Sequence, residues 1–152
     1  MIVMALASVA ISCSESLDPQ PLDYTQIISG KISKTWKFKS IAFKNEGDPD
    51  WKLTNPCWSD DTYTFYRDEE KKFEFESGIT KCDPFEPRVT ITDTWYFSNA
   101  TATLSFVFPL LSDNALPFTV VDIDKNDLTL EIFFDLNGKQ SYQMKFELDE
   151  EE

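Results

Sequence analysis

From residue 33 to residue 148 apolar and polar residues alternate with a period of two in short segments, and this limits the possible folds more than any other feature. Successive side chains of a strand point to opposite faces, so each segment carries one apolar face that must be covered. Eight segments follow the pattern: 34–43, 61–67, 72–79, 88–98, 101–108, 118–124, 128–135 and 140–148. They are rich in Phe, Val, Ile, Thr, Tyr and Trp, which suit a pleated surface. No stretch longer than about ten residues repeats at the helical period, and there is no G-x-G-x-x-G, no P-loop and no βαβ alternation. Short sequential strands leave two unpaired edges unless the sheet closes on itself. About eight strands enclose an interior wide enough for packed side chains or one small ligand. The expected fold is all-β, an eight-stranded antiparallel up-and-down barrel, with a two-sheet sandwich as the alternative.

The register can be read in places. In the first segment the apolar phase runs through Trp36 and Phe38 and then switches to Ile41 and Phe43, which calls for a bulge near Ser40. In the last hairpin Leu128, Leu130 and Ile132 must face the same way as Phe146, Met144 and Tyr142. A two-residue Asn137-Gly138 turn would set apolar against polar. A three-residue loop of Leu136, Asn137 and left-handed Gly138 pairs Ile132 with Tyr142, Leu130 with Met144 and Leu128 with Phe146.

The rings that these phases turn inward are Trp36, Tyr63, Phe65, Phe73, Phe75, Trp95, Phe106, Tyr142 and Phe146, the candidate lining of the barrel. Large rings can fill a narrow lumen unaided and make a packed core. Held apart, they would line an apolar pocket for a small hydrophobic ligand, with Tyr hydroxyls to orient it. Trp51 and Trp58 fall in the loop after the first segment, where exposed rings would form a rim for an apolar ligand or a sugar.

Asp and Glu number 27 against 14 Lys and Arg, a formal net charge of −13 with no basic cluster. Such a surface repels phosphate, which argues against nucleic acid and anionic membrane surfaces as partners. The chain of 152 residues has no His, so Ser-His and Cys-His pairs, His general bases and His metal sites are absent. No catalytic residue, metal or cofactor is expected.

Residues 1–12, MIVMALASVAIS, are uncharged and almost wholly apolar, and Cys13 opens a polar stretch. With small residues at Ala10 and Ser12, this reads as a bacterial lipoprotein signal peptide with Cys13 as the lipid attachment site. A frayed apolar terminus and a short membrane anchor are the alternatives. The run is too short to cross a ~30 Å hydrocarbon core, which takes roughly 20 apolar residues. Residues 13–30 read as a tether, 31–149 as the barrel and 150–152 as an acidic tail. The expected location is the cell envelope, with acylated Cys13 in a bacterial membrane.

Cys57 and Cys82 lie about equally far on either side of the turn at 68–71 and should meet across the base of that hairpin. In an exported protein two such thiols oxidise to a disulfide. Two buried thiols, or half of a metal site, are the alternatives.

The acidic motifs read mainly as turns. Asp122-x-Asp124-x-Asn126-Asp127 has oxygen ligands at a spacing reminiscent of a calcium loop, but it lacks the Gly and Glu such a loop uses and falls where a hairpin turn is needed. Asp60-Asp61 and Glu69-Glu70 could be imagined as acid and base; at strand ends and turns such carboxylates are ordinarily solvated. Asn99-Ala100-Thr101 matches a glycosylation acceptor and also suits a turn.

The order of a T-W-K-F-K-S strand, Cys57 with Asp60 and Asp61 before a T-x-T-F strand, Cys82, a T-W-Y-F strand around Trp95 and K-N-D-L-T-L-E-I resembles the lipocalin-like lipoprotein domains of Bacteroidetes over roughly residues 30–148. The first-strand G-x-W pattern of lipocalins is matched at Trp36, with Lys34 in the place of Gly. The resemblance implies an eight-stranded barrel closed at one end near Trp36, with an apolar cavity open at the other.

Overall fold

Trp36, Phe38 and Ile41 share the inner face of a thirteen-residue strand, β1 (Ser33–Asn45), around which the sheet is built. A computed structural model describes residues 23–53, 57–134 and 140–152. The remaining elements are α1 (Tyr24–Ser29), β2 (Lys52–Leu53), β3 (Thr62–Tyr66), β4 (Lys72–Glu76), β5 (Thr90–Thr94), β6 (Tyr96–Ser98), β7 (Thr103–Val107), β8 (Ala115–Ile123), β9 (Asp127–Phe134) and β10 (Gln140–Glu151). The sheet runs β5-β4-β3-β1-β10-β9-β8-β7-β6, with β2 paired to β1 off this path. Every registered pair is antiparallel. The result is a nearly closed up-and-down barrel.

Closure comes from one predicted strand. The segment 88–98 divides at Trp95: β5 pairs with β4, and β6 pairs with β7 on the other side of the seam. Trp95 forms the corner. Its backbone N–H still donates to the Lys71 carbonyl (2.8 Å), and its indole N–H donates to the Tyr66 carbonyl (2.9 Å). This division, together with the short β2, is why the strand count exceeds the eight expected. The far end of β5 is loosely covered; Val89 and Asp93, which alternate in phase with Trp95, are exposed.

The last strand joins the first, as a barrel requires. Phe38 faces Phe146 and Ile41 faces Met144 across β1 and β10, and the register shifts between Phe38 and Ser40, where the phase switch demanded a bulge. The β9–β10 register pairs Ile132 with Tyr142, Leu130 with Met144 and Leu128 with Phe146. The loop predicted at 136–138 lies outside the described residues, as do residues 1–22 with the predicted signal peptide and Cys13.

Both ends of the domain are more ordered than the sequence suggests. Part of the expected tether is the helix α1, capped by Asp23, whose carboxylate accepts from Gln26 N–H, and ended by Gly30 at φ 65°. A Cβ at Gly30 would lie 2.6 Å from the Ser33 carbonyl oxygen, so the chain can reverse here only without one. The expected acidic tail continues β10: Lys34 pairs with Glu151, and the Glu152 N–H donates to the Ser33 carbonyl (2.9 Å). Its side chains are exposed, but its backbone is not free.

Candidate functional site

Alternation along β3 and β4 sets Tyr63 opposite Phe75 and Phe65 opposite Phe73, all facing inward. Eight of the nine candidate lining residues are buried, and Tyr142 is half-buried against the same core. They do not stand apart. Tyr63, fully buried at the centre, meets the rings of Phe38, Phe73, Phe75, Phe106, Phe108 and Phe146 at centroid distances of 5.1 to 6.5 Å. Phe106 touches Phe65 at 5.3 Å and Phe118 at 4.8 Å. Phe38, Phe108 and Phe118 were missed as lumen residues, although the same period-two phase carries Phe38 beside Trp36 and Phe108 beside Phe106. Offset and edge-on pairs of this kind contribute about 0.5–1.5 kcal/mol each beyond burial.

The end near Trp36 is closed by α1. Ile28 is fully buried, and its carbonyl accepts from the Trp36 indole N–H (2.8 Å). Lys34, only 2% exposed, donates to the carbonyls of Ile27 (3.0 Å) and Lys125 (2.8 Å), lies 4.3 Å from the Trp36 ring centroid and pairs with Glu151 at 3.6 Å. Burial holds its amine below the ordinary lysine range, with the Glu151 carboxylate partly opposing that. The cation that replaces Gly in the resemblance thus ties the helix, the 124–127 turn and the end of β10 together. Arg67 adds a 2.8 Å ion pair to Asp23.

The other end is the mouth. The Cys57–Cys82 disulfide, with a Cα separation of 5.2 Å, ties the approach to β3 to the 77–89 loop. Asp60 and Asp61 sit beside it. Asp60 Oδ2 accepts from Ile79 and Thr80 N–H (2.8 Å each), and Asp61 Oδ1 accepts from Gly78 N–H (2.7 Å). A side chain at Gly78 would collide with the Asp60 carboxylate. For Asp60 burial pushes the carboxyl up, but the hydrogen bonds from Thr80 and Ile79 outweigh it and the net direction is down. Asp61 is 3% exposed, and burial pushes its carboxyl up against the Gly78 hydrogen bond. The expectation of a merely solvated carboxylate therefore fails for Asp61: the turn folds it inward to hold the loop.

Beside Asp61 lies a recess of about 100 Å³, bounded by Trp58, Phe75, Ser77, Lys81 and Leu110 among others. Phe75 belongs both to it and to the lumen core. Trp58 is half-buried here, while the half-buried Trp51 lies under Lys44, 4.6 Å from its ring centroid. Among the described residues, the buried side-chain atoms without a partner are Asp60 Oδ1 and the Tyr63 hydroxyl. Burial, reinforced by the Asp61 charge, raises the Tyr63 hydroxyl well above the ordinary tyrosine range.

The remaining motifs resolve as turns. Asp124 Oδ1 accepts from Asn126 N–H (2.7 Å) and Asp127 N–H (2.8 Å), which spends the carboxylate on the backbone. Glu69 and Glu70 are exposed between β3 and β4. Asn99 and Ala100 lie in an exposed turn between β6 and β7. The sequence matches no protein-family model and no curated protein.

Proposed function

We propose that this protein is a lipid-anchored module of the bacterial cell envelope whose barrel is occupied by its own side chains and which acts through contacts made at the mouth. The packing around Tyr63 carries this reading, because six rings meet the one at the centre of the lumen. A drug-sized ligand needs roughly 300–1,000 Å³. The mouth recess offers about 100 Å³, and the two larger recesses, of about 340 and 370 Å³, are open hollows beside α1 that none of the candidate lumen rings lines. On the 77–89 loop, which lends residues to the mouth recess, Ile79 is 82% and Phe85 91% exposed, apolar side chains offered to solvent. The disulfide suits an oxidising compartment, which agrees with export through the predicted signal at 1–12.

A second reading, a small hydrophobic ligand held inside the barrel, is favoured by the unpartnered Tyr63 hydroxyl. Titration with a series of fatty acids and porphyrins separates the two: a filled lumen gives no saturable change in Trp fluorescence, whereas a carrier gives one. Cross-linking in intact cells is expected to trap a stoichiometric partner through the 77–89 loop. Anchoring is tested by incorporation of a labelled fatty acid, which Cys13→Ser is expected to abolish.

A further inference from the structure

The mouth recess contains a carboxylate that the fold has only half satisfied. Asp61 is 3% exposed, and one of its oxygens is fixed by Gly78 N–H at 2.7 Å. No hydrogen bond from a described residue reaches the other. Its neighbour Asp60 does not border the recess, but its Oδ1 is buried without a partner among the described residues, so a second negative charge stands close behind Asp61. The nearest cation does not complete it. Lys81, which borders the same recess, turns its ammonium to the Ser77 hydroxyl (3.0 Å) and the Pro87 carbonyl (3.4 Å), and no ion pair within 4.0 Å joins it to Asp61. The apolar walls beside the carboxylate are Trp58, Phe75, Val89, Pro109 and Leu110, and Ser77, Thr80, Lys81 and the Glu86 carboxylate complete the lining.

We infer that this recess is a binding site for a primary alkylammonium group, whose charged tip meets Asp61 and whose methylenes lie against Trp58, Phe75 and Leu110. An ammonium is a point donor and needs one free carboxylate oxygen; a guanidinium matches a carboxylate through two, and here Gly78 already holds one. The aromatic walls add attraction for a cation and suit an alkyl stem. A volume of about 100 Å³ admits the end of one chain and no more. The net charge of −13 raises the local concentration of any cation before contact. This goes beyond the filled-lumen reading and does not depend on it. The same tip could belong to a lysine side chain of a protein partner or to a free amine.

The test is an NMR titration of the isotopically labelled protein with n-butylammonium and, separately, with neutral n-butanol. Saturable shifts at the Gly78 amide and the Trp58 indole N–H are expected with the ammonium alone. Asp61→Asn is expected to weaken that binding by about tenfold or more, the loss of a charged hydrogen bond. No saturation with butylammonium, equal responses to butanol, or undiminished binding in a folded D61N variant would each overturn the site. If D61N does not fold, the contrast between ammonium and alcohol on the unaltered protein decides by itself. A lysine-bearing peptide run alongside identifies the source: tighter binding than butylammonium points to a protein partner, and equal binding to a free amine. A response to fatty acids would sink the filled lumen and leave this site standing; silence with butylammonium would do the reverse.

Discussion

Tyr66 and Tyr63 show how one residue type takes opposite roles according to its partner. The Tyr66 hydroxyl donates to Glu74 Oε2 at 2.6 Å, and that bond, with burial and nearby carboxylates adding to it, pushes its pKa to about 12. A tyrosine raised on folding contributes stability in full below its unfolded pKa near 10 and loses it as the pH climbs through about 12. Ultraviolet titration should therefore show a tyrosinate step near pH 12 that Tyr66→Phe removes. The Tyr63 hydroxyl is buried with no partner among the described residues, so Tyr63→Phe is expected to leave stability unchanged or raise it by about 1 kcal/mol, seen as a higher urea midpoint. Gly30→Ala, at φ 65° against the Ser33 carbonyl, should lower the stability by about 1 kcal/mol or more, seen as a lower urea midpoint. At this scale the inward rings were legible in the sequence, because alternation reports which face a residue occupies. Lys34 and Asp61 were not: their burial depends on carbonyls and amides brought from distant positions, and no local pattern records those.

Strand existence and the register of the last hairpin were legible, since Leu128, Leu130 and Ile132 can meet apolar partners in only one alignment. The bulge between Phe38 and Ser40 was readable for the same reason. The division of 88–98 was not, because its alternation continues through Trp95 and only the need to pair with both β4 and β7 breaks it. α1 escaped notice because six residues are too few to show a helical period. Its stability comes from Ile28 and the indole of Trp36 rather than from propensity. Among these elements the hairpin carrying β3 and β4 is the one closed covalently. With a sequence separation of 25 between Cys57 and Cys82, the chain-entropy model gives the disulfide about 3.5 kcal/mol. Paired Cys57→Ser and Cys82→Ser substitutions should lower the unfolding free energy by about that amount in urea.

For the whole molecule, a barrel of about eight strands can be a container or a solid, and the choice rests on side-chain volume rather than on topology. Composition hinted at the solid form, with 13 Phe, 5 Tyr and 4 Trp, but could not say how the rings interlock. Phe106, in contact with Phe65, Phe73, Phe108 and Phe118, lies where removal should be felt most. Phe106→Ala is expected to cost about 3–5 kcal/mol and to open a cavity that an apolar probe can enter. The most direct check of the filled lumen is native mass spectrometry of the protein purified from the cells that make it, beside the Phe106→Ala variant soaked with a small aromatic. The unaltered protein should fly with no non-covalent mass and stay free of the probe, while the variant takes one copy up. A hydrophobic molecule retained by the unaltered protein, and lost on unfolding, would contradict the account.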